Sequence, residues 1–206
     1  MVLFDAKNDT EWASFINQLF EQAKPYLAVR GDLMHARISH ECALILMERE
    51  GGDREIIEPA IVLHDVGWSR LGHREIKGAY GVKAGGVESE RLNLIHEKEG
   101  AALARHLLER NQYDPLLIDK ITCIIQVHDS GEDIRSLEEA VVKDADKLWR
   151  FSEIGFSKEV ERQGISPSEL CRHLVKHHKT WFCTESAFEI AAGELEKRKK
   201  QPPRRF

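Results

Sequence analysis

Hydrophobic positions recur along this chain at three- and four-residue intervals, and strand-like alternation is nearly absent. That spacing belongs to helices with one buried face. It predicts a first helix over about Asp9–Lys24, capped by Asp9 or Thr10 and stopped near Pro25. A second is expected over about Asp32–Glu50, ending at Gly51-Gly52, and a third over about Arg54–His64, with Pro59 a point of irregularity. Residues 67–91 hold six glycines and little periodicity, and read as a loop with room for a short helical piece.

Helical spacing returns over about Leu94–Glu109. Asp114-Pro115 then marks a restart, with Asp as cap and Pro at the first helical position, and that helix is expected to run to about His128. After the break "HDSGED" come helices over about Leu137–Arg150, Phe151–Arg162, Ser168–Phe182 and Thr184–Lys199. No internal repeat or domain boundary interrupts the series. The expectation is an all-α fold, one helical domain over residues 1–206 with additional C-terminal helices over about 151–200.

Composition narrows the function classes. The chain has 206 residues, of which 42% are hydrophobic and 32% charged, so it can bury a sizeable core as one domain. A formal net charge of -5 argues against a general nucleic-acid binder, although the tail "EKRKKQPPRRF" is basic and reads as a solvated end. No apolar run approaches membrane-spanning length, and "MVLFDAKNDTEW" does not read as a signal peptide. Cys42, Cys123, Cys171 and Cys183 are scattered without a CxxC pair, which fits reduced thiols and a cytoplasmic location.

The ten histidines change the picture most. In the stretch "AIVLHDVGW", residues 60–68, His64 and Asp65 stand side by side at the end of an apolar run. At about 100° per residue, His35 aligns with Ile38, Cys42, Ile45 and Leu46, whereas His40 lies off that stripe toward Met47. His128 aligns with Leu117, Ile121, Ile124 and Ile125. His96 aligns with Gly100, Leu103 and Leu107, and Gly100 would permit close approach of another helix. Each of these polar groups faces inward near a helix end. Burial of imidazole and carboxylate is costly, and a shared metal ion gives every one of them a partner. A further carboxylate comes from "VVKDADKLW", where Asp144 lies with Leu137, Val141 and Leu148, and Asp146 lies on the opposite face with Val142 and Trp149. Periodicity does not choose between these two.

The order His35, His64-Asp65, Asp146 resembles the HD superfamily of metal-dependent phosphohydrolases. "LHDVG" looks like its core signature and "KDADKL" like its final Asp motif, and the likeness spans residues 32–150 or so. The resemblance implies an HD-like helical bundle over that span. It places the metal Asp directly before Lys-Leu, hence Asp146, with Asp144 its neighbour. It also favours His35, 29 residues before the HD pair, over His40 at 24. Many members follow the signature with Lys, where this chain has Trp68; Arg70, His73 or Arg74 could supply that cation instead. With His96 and His128 the set resembles two-metal members in which Asp65 bridges.

What the resemblance implies is a phosphohydrolase acting on a small phosphorylated metabolite, nucleotides first. One or two divalent ions (Mn, Fe, Co, Ni, Zn or Mg) would be held by His35, His64, Asp65, His96, His128 and Asp146. Asp65, His96 and His128 would take part in catalysis, and Arg70, Lys147 and Arg37 are the nearest cations for phosphate. Two alternatives stay open: a di-iron oxygenase of the same superfamily, similar to inositol oxygenase, and a non-catalytic HD scaffold. In the C-terminal third, His173, His177 and His178 read as surface or interface residues. Trp181, Phe182 and Phe188 are expected to pack a helical subdomain against the core or a partner chain, which leaves a homo-oligomer open.

Overall fold

The structure, a computed structural model, describes residues 9–29, 31–79, 81–82 and 85–200. The start of "MVLFDAKNDTEW" and the end of the basic tail lie outside them. Among the described residues there are ten α-helices and no strand: α1 (Asp9–Leu27), α2 (Leu33–Glu50), α3 (Arg54–Leu63), α4 (His73–Ala79), α5 (Val87–Arg110), α6 (Pro115–Ile125), α7 (Leu137–Leu148), α8 (Glu153–Gln163), α9 (Pro167–Trp181) and α10 (Glu185–Lys200). Short 3-10 turns occupy Val66–Arg70 and Trp149–Phe151. The fold is all-α, and no described helix is long and apolar enough to cross a membrane.

Local chemistry sets most helix starts. Asp53, Asp114, Ser136, Ser152 and Ser166 each accept a hydrogen bond from a backbone amide two or three residues on, which satisfies donors the first turn cannot pair internally. Pro115 and Pro167 stand in the first turns of α6 and α9. Gly164, at φ 60°, ends α8 in the left-handed conformation that costs glycine nothing.

Several expectations need correction. α1 continues through Pro25 to Leu27 rather than stopping before it. The stretch 67–91 does hold the short helical piece allowed for it, α4, but also the 3-10 turn and the start of α5, which begins at Val87 instead of Leu94. His128 stands three residues beyond the end of α6, in a turn. The buried face of α2 also differs from the stripe read from hydrophobicity. It presents His35, Ala36, Ser39, Ala43 and Leu46, while Ile45 is 44% exposed. Small residues there let α2 lie close against α3 and α7.

One apolar core draws on α1, α2, α3 and α5 to α10, with Phe15, Leu46, Ile61, Leu107, Ile125 and Val142 among its buried members. A smaller cluster of Trp68, Leu71, Ile76, Ala79 and Leu92 lies under the segment 66–92. Between α1, α2 and α3 the core buries one carboxylate, Glu58. It accepts from Trp12 Nε1 and His40 Nε2, both at 2.7 Å, and from Arg54 Nε at 3.2 Å. His40 is thereby committed to a structural network away from the other histidines.

Candidate metal centre

The end of α3 delivers two ligand-type side chains together. Ile56, Ile57, Ala60, Ile61, Val62 and Leu63 are buried, so the run pulls the residues after it inward. His64 and Asp65 end up 0% and 3% exposed. The His64 ring is fixed by Nδ1, 2.7 Å from the Ile61 carbonyl oxygen. A carbonyl only accepts, so Nδ1 carries the proton and Nε2 is turned toward the carboxylates. Nε2 lies 3.5 Å from an oxygen of Asp65 and 3.5 Å from one of Asp146, and makes no hydrogen bond of its own. His128 repeats the device, with Nδ1 2.8 Å from the Ile125 carbonyl and Nε2 directed inward.

Two groups of side chains meet at Asp65. On one side, α2 supplies His35 and α7 supplies Asp146; His35 Nε2 is 2.8 Å from Asp146 Oδ1, and its Nδ1 is 3.3 Å from Asp65 Oδ2. On the other, α5 supplies His96, whose Nε2 is 3.3 Å from His128 Nε2 and 3.8 Å from Asp65 Oδ1. His35, His64 and Asp146 have ligand atoms within 4.8 Å of one another, and so do His64, Asp65 and His128. The six candidate ligands therefore form overlapping clusters that share His64, Asp65 and His128. Asp144 faces elsewhere and accepts from the backbone of Cys183 and Thr184.

The electrostatics of the centre call for a cation. Burial works against a charged imidazole at His128, but Asp129, Asp65 and Glu97 outweigh it and hold the pKa up at about 10. Burial likewise opposes charge on His64, yet Asp65 and Asp146 raise its pKa. Asp146 is held well below the usual carboxylate range, because Arg150, His35 and His64 overcome the penalty of burial. Both imidazoles thus sit where the surrounding carboxylates favour positive charge. The imidazole and carboxylate donors thus fit a divalent metal.

Two tryptophans back the histidines. Trp149 lies parallel to His35, with centroids 5.1 Å apart, and donates from Nε1 to Glu159. Trp68 lies parallel to His96 at 4.0 Å and donates from Nε1 to Asp65 Oδ1 at 2.9 Å. Trp68→Phe keeps an aromatic wall but removes that donor. It is expected to weaken metal binding about ten- to hundredfold, as loss of an outer-sphere partner does, in competition against a chromophoric chelator. An unchanged affinity would mean that Asp65 is oriented without the indole.

The structure adds residues that sequence reasoning missed. Asp129, 31% exposed, brings Oδ2 to 3.6 Å from His96 Nε2 and 3.8 Å from His128 Nε2. Its signal was a second His-Asp dipeptide, 128–129, read only as part of a helix break. Glu97 holds this turn by accepting from the amides of Asp129 and Ser130, both at 2.9 Å. Asp32, buried beside His35 and Asp65, is ion-paired with Arg162 at 3.2 Å. Arg150, one helical turn after Asp146, reaches within 3.6 Å of Asp146 Oδ2.

Among the cations expected to meet phosphate, Arg70 is exposed, as are His73, Arg74 and Arg37. None of these four lines the cavity that opens beside Asp146 and Asp129, whereas Lys147 and Arg150 do. His173, expected at the surface, is half-buried and lines that cavity too. Trp181 and Phe182 pack on the core, and Phe188 stays 39% exposed against His178.

A family model described as HD domain matches residues 33–150, the stretch that holds all six candidate ligands. No curated protein and no solved structure matches the chain.

Proposed function

We propose, from the premise that this chain belongs to the HD domain family of metal-dependent phosphohydrolases, that it hydrolyses a small phosphorylated metabolite, most simply a nucleotide. The observation that carries the reading is the joining of four buried histidines and two buried aspartates into overlapping clusters, beside a cavity lined by Lys147 and Arg150. His35, His64, Asp65 and Asp146 would hold one divalent ion. His96, His128 and Asp129 would hold a second, with Asp65 shared between them.

A divalent ion held by these residues would supply hydroxide near neutral pH and neutralise phosphoryl oxygens. The chain's own residues set the conditions for that chemistry. The Ile61 and Ile125 carbonyls fix His64 and His128 with Nε2 facing inward. Trp68 closes the side behind His96 against water. Arg150 presents a guanidinium beside Asp146, where it can pair with oxygens of an incoming phosphoryl group.

Phosphate release from a panel of nucleotides and simple phosphomonoesters, with Mn or Co added, tests the reading. Release is expected, and Asp65→Ala should lower kcat/KM by at least about a thousandfold, the several kcal/mol that metal-assisted chemistry contributes. A di-iron centre with an oxygen-dependent optical change and no phosphate release would replace the hydrolase with the oxygenase alternative. Tight metal binding without any turnover would indicate a scaffold.

A further inference from the structure

The cavity beside the metal centre has a wall that the family match does not reach. Asp129, Asp146 and Arg150 line it on the side of the candidate ligands. Gln163, Leu170, His173 and Trp181 line it too, and all follow residue 150, where the match stops. The cavity volume is 280 Å³. That is just below the range for small-molecule sites, which starts near about 300 Å³, so it suits a phosphate chain with the rest of a substrate extending outward.

Hydrogen-bond donors line the cavity in two places. Beside the candidate ligand Asp146, Arg150 Nη1 lies 3.4 Å from the Asp146 carbonyl and 3.6 Å from its carboxylate. Beside the end of α9, Lys147 Nζ donates to the Trp181 carbonyl at 2.8 Å. His173 stands near it, its ring 5.5 Å from that of Trp181. Burial, His177 and Arg150 lower the His173 pKa, so near neutral pH the ring is an uncharged N–H donor. A monoester of a neutral alcohol, its phosphoryl group beside the candidate ligands, leaves the donors beside Trp181 facing carbon or water. A substrate with a second phosphoryl group meets them with charge-assisted hydrogen bonds.

We propose that Lys147 and His173 form a second phosphoryl subsite, so that the centre favours di- and triphosphate chains over monoesters of neutral alcohols. This rests on the phosphohydrolase reading of the same site.

Binding of two non-hydrolysed probes to the full-length, metal-loaded protein tests it. Methylenediphosphonate carries the second phosphoryl group and orthophosphate lacks it. Calorimetry is expected to show the diphosphonate bound at least about tenfold tighter, with the ratio falling about threefold or more in His173→Ala and in Lys147→Gln. Orthophosphate affinity should stay within about twofold in both variants, since charge-assisted contacts to one phosphoryl group are untouched. Parallel weakening of both probes would reduce Lys147 and His173 to a structural clamp on Trp181 and overturn the proposal. An unaltered ratio in His173→Ala, at a partly exposed position, would overturn it as well. Failure of the parent reading looks different: the ratio and its loss persist while no substrate is hydrolysed.

Discussion

Gly67→Ala is expected to leave no stably folded protein. A Cβ at this position would lie 1.9 Å from the His96 carbonyl oxygen, 2.5 Å from the Gly100 nitrogen and 2.8 Å from the Gly100 Cα. All three atoms are backbone of α5, so no side chain can swing aside. Either the 3-10 turn after Asp65 lifts from α5, or α5 shifts and carries His96 with it. The cost should exceed about 4 kcal/mol, above the usual about 1–3 kcal/mol of overpacking and close to the low end, about 5 kcal/mol, of whole-domain stability. Gly100→Ala is the control across the same contact. Its Cβ would meet its nearest neighbours at 3.4 Å, which asks for adjustments of tenths of an ångström, and should cost less than about 1.5 kcal/mol. Denaturant melts of the two variants, with soluble yield as a first reading, check the pair. A Gly67→Ala protein melting within a few degrees of the parent would mean that the turn has slack.

His35→Ala and His40→Ala should separate completely. Removing His35 takes away an imidazole that touches both Asp146 and Asp65. Metal affinity is expected to fall by more than about a hundredfold, beyond the range seen for outer-sphere partners. His40 lies five residues on, yet its Nε2 meets Glu58 rather than the centre. His40→Ala should keep full metal content and lose about 1–3 kcal/mol of stability, because the buried Glu58 forfeits one of its partners. Metal analysis of dialysed protein together with urea unfolding reads both effects. Metal loss in His40→Ala with retention in His35→Ala would exchange their roles.

Much of this was legible in the sequence because it is local. A cap at Asp114 followed by Pro115 announces α6 within three residues. An His-Asp pair at the end of the buried α3 run has few ways to meet its burial cost other than shared charge. What escaped depends on distance and size. The face of α2 was misread because hydrophobicity favours Ile45, whereas close packing on α3 and α7 favours Ala36, Ser39 and Ala43. In the segment 67–91 a short helical piece was legible but not its bounds, because seven residues of α4 are too few to establish a period, and the glycine-rich context hid the early start of α5 at Val87. Asp129 and Arg150 gain their places only when α5 and α7 are brought beside α3, and no spacing within either helix reveals that. His173 is separated from Asp146 by a helix and two turns, and joins it through a cavity.

Asp144 gives the last consequence. It accepts from the Cys183 amide at 2.9 Å and from the Thr184 amide and hydroxyl, both at 2.8 Å. Asp146, on the same helix, turns to His35, and Lys147 reaches the Trp181 carbonyl. One rigid rod thus bears the floor of the cavity and the tethers of its far wall. If the proposed subsite holds, the separation between them would act as a fixed gauge, set by α7 itself. Discrimination by chain length would then belong to the resting molecule, with no moving flap needed to measure what has entered.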